Sequence, residues 1–543
     1  MAREIHEECG VFGIYAKERK NVAALSYYGL FALQHRGQQS CGIAVNDSGV
    51  IKGYKDVGLV NDVFTKEKLD SLGEGRIAVG HVHYGTKITA TRENAQPFVV
   101  NHMKGSMALA TNGAIVNSGE LRRELELGGS IFHTLSDGEI MAAIIIKERL
   151  KTGSIEEAVS NAIPRFKGAH STIIMSPQKL IGFRDPLGFR PLSIGMLGED
   201  YVLSSETCGL DAIGAEFVRD VEPGEIVVID KDGLRSIKKH MCEGKKAFCV
   251  FEYIYFSRPD SLVNGTLVHD ARRKAGALLA LSNHVDADVV IGVPDSGLDA
   301  AMGYAQQSGI PYGLGFIKNK YIGRTFIQPD QSYRENRVRI KLNVVKSTVA
   351  GKRVVMVDDS IVRGTTSARI VNLLRAAGAT EVHVRSSAPP FIHPCYFGTD
   401  IDSREKLIAY HYTIDEIAEK IGADSVGYLN IEDLVKLAPK NEEGICDACF
   451  TGNYPVEVDE EGECSVMKSY SESYKEAGVD ITAGYKAVQL MKTHIQRTMT
   501  AGALSDIGGF GAMGTEIPNV DNQPTSGYYS VANKDALTRA IGR

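Results

Sequence analysis

The sequence predicts an α/β protein in two parts: an amino-terminal half of short strands and turns, and a carboxyl-terminal half built on a doubly wound parallel sheet. Three observations carry this. Val354-Val-Met-Val357 is a short apolar, largely β-branched run suited to a strand buried on both faces, and it ends at two adjacent carboxylates, Asp358 and Asp359. From about residue 245 strand and helix patterns alternate: ADVVIGV, a helix to Gln307, IPYGLGFI, the Val354 strand with its helix, and TEVHVRSSAPP. Before residue 240 the patterns are short strands between turns, among them STIIMSP, KLIGFRDPLGFRPLSIG and GEIVVIDKDG.

Length and charge bound the function. At about 150 residues per domain, 543 residues make two to four domains. Lys+Arg 61 against Asp+Glu 67 gives a net charge of −6, so no global basic footprint argues for nucleic acid, and small molecules are the expected partners. No apolar run approaches the ~18 residues of a membrane span, and MAREIHEE is too polar for a secretory signal, which predicts a cytoplasmic protein. Nine cysteines in such a chain read as catalytic or metal-ligating groups before disulfides.

In chain order, Cys9-Gly-Val-Phe-Gly-Ile-Tyr15 opens a strand pattern directly after a polar octapeptide. A cysteine at such a junction is a buried thiol, or, if residues 1–8 are a propeptide, the first residue after processing. In the second case its α-amino group, with a pKa near 8, can serve as base for its own thiol. Downstream, Val293-Pro-Asp-Ser-Gly297 ends one strand pattern with a tight loop. The segment from Lys318 to Lys341 holds seven basic and two acidic residues in a net acidic protein, either a solvated charge run or a lid that closes over a polyanion. At the central strand, Arg363-Gly-Thr-Thr-Ser367 starts a helical pattern, so free N–H groups, the helix dipole and the Thr365 and Thr366 hydroxyls can cradle a phosphate. Asp358 and Asp359 complement them as acceptors for ribose hydroxyls or holders of hydrated Mg²⁺. Cys446-Asp-Ala-Cys449 is a chelating pair open to redox, zinc or iron–sulfur roles.

The Asp358 to Ser367 stretch resembles the PRPP-binding signature of type I phosphoribosyltransferases. Tyr28-Gly-Leu-Phe-Ala-Leu-Gln-His-Arg-Gly-Gln38, Asn94-Ala-Gln-Pro-Phe98, Thr111-Asn-Gly113 and Ser136-Asp137 resemble, in order and spacing, the N-terminal-nucleophile (Ntn) glutamine amidotransferase domain. Together they are similar to one family, the glutamine phosphoribosylpyrophosphate amidotransferases (amidophosphoribosyltransferases), from about residue 7 to 456. That resemblance implies an αββα sandwich over 9–240, a phosphoribosyltransferase domain over 245–456 with a lid at 318–341, and a linker at 457–472. The implied enzyme is a glycosyltransferase (pentosyltransferase) that joins glutamine and PRPP into 5-phosphoribosylamine, the first committed step of purine (IMP) synthesis.

Site roles follow by resemblance. Cys9 would be the nucleophile, with Gly37 N–H and Asn112 forming the oxyanion hole, and Arg36, His83, Gly113 and Asp137 holding glutamine. Asp295, Ser296, Lys318, Asp358, Asp359, Gly364, Thr365 and Thr366 would hold PRPP, and Ser296, Asp358 and Asp359 would place Mg²⁺. Cys249, Cys395, Cys446 and Cys449 match the ligands of members carrying a four-iron four-sulfur (4Fe-4S) cluster, leaving Cys41, Cys208, Cys242 and Cys464 as ordinary thiols. A lid ordered by PRPP that seals a path for ammonia, feedback by purine nucleotides and a homotetramer are further implications.

Two departures stand out. In Gly80-His-Val-His-Tyr84 the family usually has arginine where His83 stands, so a group with one donor replaces a charged fork for the glutamine carboxylate, unless Lys87 or Arg92 compensates. Thr111 stands where histidine commonly precedes Asn-Gly. Rival readings are an enzyme that depends on ammonia, and a non-catalytic PRPP-binding regulator, for which no basic helix-turn-helix is evident. Beyond 472, Ser473-Tyr-Lys-Glu-Ala-Gly-Val-Asp480, Ala483-Gly-Tyr-Lys-Ala-Val488 and Ile507-Gly-Gly-Phe-Gly-Ala512 resemble the N-terminal segment of aminoimidazole ribonucleotide synthetase, without its ATP-binding body. A fusion remnant or gene-boundary artefact is expected there, followed by a disordered tail from about 514.

Overall fold

The computed structural model describes residues 9–85, 90–241, 244–319, 342–399, 401 and 403–458, together with a short strand pair, Ala512–Met513 with Tyr528–Tyr529. Contacts divide the chain into Met1–Cys464 and Ser465–Arg543. The leader, most of the lid and nearly all of the synthetase-like stretch lie outside the described residues.

Two antiparallel sheets build the amino-terminal part. One runs Glu216–Asp220, Ser193–Leu197, Asp200–Ser204, Cys9–Lys20, Gly75–His83, Ser40–Asp47, Val50–Val57; the other runs Gly233–Ile237, Ile226–Asp230, Leu180–Arg184, Ser171–Met175, Gly105–Asn112, Phe98–His102. Successive side chains on a strand point to opposite faces. Val11 and Tyr15 therefore join Ala108, Ile173 and Val227 between the sheets. Phe12 and Ile14 turn outward onto Val22, Ala23 and Leu30 of the helix Val22–Ala32. On the far side Met107, Leu109, Ile174 and Phe183 meet Ile140, Ile144 and Ile145 of the helix Asp137–Lys151. Helix, sheet, sheet and helix form the expected αββα sandwich.

The second part has a parallel sheet in the order Val289–Gly292, Arg353–Asp358, Glu381–Ser386, Ser425–Tyr428. The strand Arg353–Asp358 is apolar from Val354 to Val357 because both faces are covered there. Val355 and Val357 pack with Ala275, Leu279, Ala300 and Tyr304 of the helices Val268–Ser282 and Gly297–Ser308. Val354 and Met356 pack with Ile370, Leu374 and Ile417 of Thr365–Ala376 and Ile414–Ile421. Parallel strands release their carboxyl ends at one edge, which places Asp358 beside the loop that follows Gly292. No helix of the described residues is long and apolar enough to cross a membrane.

Candidate active site

Strand register brings the first group of residues together. Cys9 opens its strand directly opposite His83, with Sγ 3.6 Å from His83 Nδ1. From the second sheet, Asn112 ends its strand and its Oδ1 accepts from the Cys9 N–H at 3.3 Å, while its buried Nδ2 donor has no partner. An amide N–H left unsatisfied beside a thiol is what an oxyanion hole requires. Gly37 stands close by because nothing larger fits: a Cβ there would lie 2.5 Å from the His83 carbonyl carbon. Its N–H points to Gln34 O at 3.3 Å in this state. Gly113 follows Asn112 with φ of +126°, and Asp137, buried at the start of its helix, accepts from the Ile115 N–H at 2.9 Å.

Arg36, expected among the glutamine-binding residues, is held by the protein itself in this state. Its Nε donates to Cys9 O at 3.0 Å, and its two terminal nitrogens reach Glu206 at 2.5 Å and Glu252 at 2.7 Å. Burial alone would weaken the cation, yet the two carboxylates hold its pKa above the ordinary arginine value. With four of its five N–H donors engaged, it positions the backbone of Cys9. Glu206 also binds His35 and Ser261, and Glu252 also binds Arg190 and Ser257, tying the sandwich to the parallel-sheet part. Glu206, Glu252 and Arg190 escape sequence reading; the one available signal is Glu252, a lone charge inside the apolar, aromatic run Val250-Phe-Glu-Tyr-Ile-Tyr-Phe256.

His83 carries no compensating charge. Burial lowers its pKa to about 4, so the imidazole is neutral at physiological pH. Arg92 turns away, donating to Lys55 O and lying over the Tyr54 ring, and Lys87 is outside the described residues. Thr111 supplies a backbone carbonyl to His81 Nε2 at 3.0 Å and a hydroxyl bond to Thr172 at 2.8 Å.

The second group sits at the carboxyl edge of the parallel sheet. Asp359 accepts from Ser296 Oγ and from Ser360 Oγ, each at 2.5 Å, and its own N–H meets Asp358 Oδ1 at 2.9 Å. Burial and then the neighbouring carboxylate push Asp358 well above the usual range, and burial raises Asp359 too. Such a pair favours a cation or hydroxyl donors. Asp295 pairs with Lys318, so two predicted ligand residues neutralise one another here. Gly364, at φ +74° with Ile408 where a Cβ would go, turns the chain into the helix Thr365–Ala376. That helix start has no side-chain cap, and Thr365 and Thr366 are exposed on it. Its N–H groups are free for an anion. Of the lid, Lys318 and Asn319 are described and 320–341 are not.

The four chelating cysteines converge. Cys249 and Cys446 are opposite each other in a two-strand parallel pair, and with Cys395 and Cys449 they line one cavity walled by Phe189, Phe251 and Phe391. Burial pushes the Cys249 thiol up to about 12 and Cys446 and Cys449 well above their usual value, neighbouring sulfurs adding to it. Separately, Cys9, His81 and His83 form a buried group of potential ligands, and part-buried His35 with buried Glu206 and Cys208 form another.

Taken together, fold and site define a glutamine amidotransferase domain joined to a phosphoribosyltransferase domain. A glutamine amidotransferase domain model matches residues 83–212 and a phosphoribosyl transferase domain model matches 268–418. The chain belongs to the amidophosphoribosyltransferase family, whose activity is the first step of purine biosynthesis. It is 50% identical to the amidophosphoribosyltransferase of Methanocaldococcus jannaschii over 83% of this chain and 98% of the relative, and 48% identical to that of Bacillus subtilis over 84% and 95%. Among solved structures it resembles the B. subtilis glutamine PRPP amidotransferase complexed with ADP and GMP, at 47% identity and a TM-score of 0.77 over 83% of this chain and 98% of that one.

Proposed function

We propose that residues 1–8 are removed and that Cys9 then attacks the glutamine carboxamide, its freed α-amino group taking the thiol proton and passing it to the departing ammonia. A γ-glutamyl thioester results, and water releases glutamate. Asn112 Nδ2 and, once it leaves Gln34, the Gly37 N–H would hold the oxyanion; Gly113 and Asp137 would hold the α-amino end of glutamine. The ammonia displaces pyrophosphate from C1 of PRPP, giving 5-phosphoribosylamine. Asp358 and Asp359 bind the ribose hydroxyls, Gly364, Thr365 and Thr366 the 5′-phosphate, and Asp295, Ser296 and Lys318 the pyrophosphate end. The observation that carries this reading is the unpartnered Asn112 Nδ2 beside Cys9.

The acidic pair and Ser296 fit Mg²⁺, which would neutralise pyrophosphate charge as that group leaves. The four buried cysteines fit a 4Fe-4S cluster with a structural role. The four thiols line one aromatic-walled cavity, and the resemblance to cluster-bearing members of the family favours the cluster over tetrahedral zinc. Domain bounds of 9–240 and 245–456, cytoplasmic location, a homotetramer and feedback by purine nucleotides complete the proposal, the last in keeping with the relative bound to ADP and GMP. Residues 473–512 are read as a synthetase-like remnant without activity of its own.

A second reading, an ammonia-dependent enzyme, is favoured by the neutral His83 at the carboxylate position. Pyrophosphate release from PRPP and Mg²⁺, measured anaerobically with glutamine and with ammonia, separates the two. Turnover with both supports the full reaction; turnover with ammonia alone supports the second reading, and silence with both overturns each.

A further inference from the structure

We propose that Cys9, His81 and His83 form a binding site for a soft divalent transition-metal ion, Zn²⁺ being the best match, and that its occupancy silences the glutaminase while leaving the phosphoribosyltransferase half running on ammonia. One ligand atom from each residue lies within 4.8 Å of the others, and all three residues are buried. The arrangement follows from sheet geometry. Cys9 and His83 are directly paired across antiparallel strands, so their side chains leave the same face. His81 is two residues from His83 and shares that face.

Each histidine has a nitrogen suited to an ion. His81 Nε2 is held against the Thr111 carbonyl at 3.0 Å, which assigns the ring proton to Nε2 and leaves Nδ1 as a lone pair; that atom is buried without a partner. An N–H to a backbone carbonyl is the usual support behind a metal-ligating histidine. His83 presents Nδ1 to the Cys9 sulfur at 3.6 Å, and its Nε2 is buried without a partner. One thiolate and two imidazoles match the donor preference of zinc. Three protein ligands leave a fourth position open, and the Cys9 α-amino nitrogen can close a five-membered chelate there once the leader is gone.

Binding releases the thiol proton to solvent and places the sulfur lone pair in a metal bond. The ion draws on the sulfur's remaining pairs and crowds its approach, so the sulfur attacks the glutamine carbonyl poorly. Arginine at position 83 would replace a ligand with a cation and abolish the site. Silencing rests on the reading of Cys9 as the nucleophile; ion binding does not.

The test uses the full-length enzyme, its His83→Leu variant and, should that one fold poorly, His83→Arg. Co²⁺ serves as the spectroscopic probe and Zn²⁺ as competitor, so that any ion taken up by the other cysteines cancels in the difference. The wild type is expected to bind one more Co²⁺ per chain than either variant, with a thiolate-to-cobalt charge-transfer band that Zn²⁺ removes. Zn²⁺ is also expected to lower glutamine-dependent pyrophosphate release at least tenfold at a concentration that spares the ammonia-dependent rate. Equal stoichiometry and equal spectra in wild type and variants would overturn the site. Extra binding with undiminished glutamine turnover would overturn the silencing, and with it the role of Cys9, while leaving the ion site standing.

Discussion

Cys9 and His83 face each other across neighbouring antiparallel strands, the thiol sulfur 3.6 Å from the imidazole Nδ1. The strand pairing that carries the proposed nucleophile therefore also holds the residue proposed to meet the glutamine carboxylate. A neutral ring buried against a thiol offers a carboxylate at most one hydrogen bond.

His83→Arg is expected to strengthen glutamine binding. A charge-assisted pair contributes about 1.5–3 kcal/mol, so the KM for glutamine should fall about tenfold or more, with little change in the KM for PRPP. Steady-state kinetics with each substrate varied in turn would check this, and an unchanged glutamine KM would remove His83 from the carboxylate position.

Asn112→Ala removes the free donor while leaving the strand intact. Loss of one oxyanion donor costs about 10²–10³ in kcat. The expected result is a loss of that size in glutamine-dependent turnover, with the ammonia-dependent rate preserved. A loss below threefold would place the oxyanion elsewhere.

Gly364→Ala strains a residue at φ +74° and meets Ile408 Cδ1 at 2.5 Å. A non-glycine residue in this region costs roughly 1–2 kcal/mol, and here the distortion falls on the turn proposed to hold the 5′-phosphate. The KM for PRPP should rise about 5- to 30-fold. Glutamine hydrolysis assayed without PRPP should change far less, and equal losses in both would point to general misfolding.

Cys446→Ser breaks the four-cysteine set. Wild-type protein prepared without oxygen should contain iron and absorb broadly in the visible; the variant should lose both and melt at lower temperature. Elemental analysis that returned one zinc and no iron would overturn the cluster.

His170 provides a stability prediction with a definite sign. It is buried between Phe166 and Phe183 with neither ring nitrogen partnered, and burial lowers its pKa to about 3. Between the unfolded value of about 6.5 and that folded value, the unfolded chain binds the proton and the folded chain does not. The neutral ring's contribution is thus fully present above about pH 6.5 and is lost as pH falls. His170→Phe should flatten the pH dependence of unfolding free energy by about 1.4 kcal/mol per pH unit across that window. Urea denaturation at pH 4.5, 5.5 and 7 would measure it, and parallel curves would show that His170 protonates in the folded state.

Legibility divided along the lines of locality. The strand ending at Asp358 and Asp359, the turn at Gly364 and the helix from Thr365 are one continuous stretch, so hydrophobic period, carboxylate pair and turn chemistry all coincide in fourteen or so residues. The same holds for the cysteine at the head of a strand and for the Cys446–Cys449 pair. The segment from Lys318 to Lys341, by contrast, was legible only as a run of charge, and residues 320–341 fall outside the described part.

The sequence by itself determined the α/β architecture, the two-part order and the residues able to do chemistry, because local periodicity and residue type are written in adjacent positions. Tertiary structure alone decided which of those residues meet. Arg36 lies 216 positions from Glu252, and their bond sets Arg36 as a buried support of the Cys9 backbone. Cys9 and His83 are 74 positions apart and become neighbours only through sheet register. Register and domain packing are set by the summed burial of many side chains, and no short stretch of sequence carries that sum.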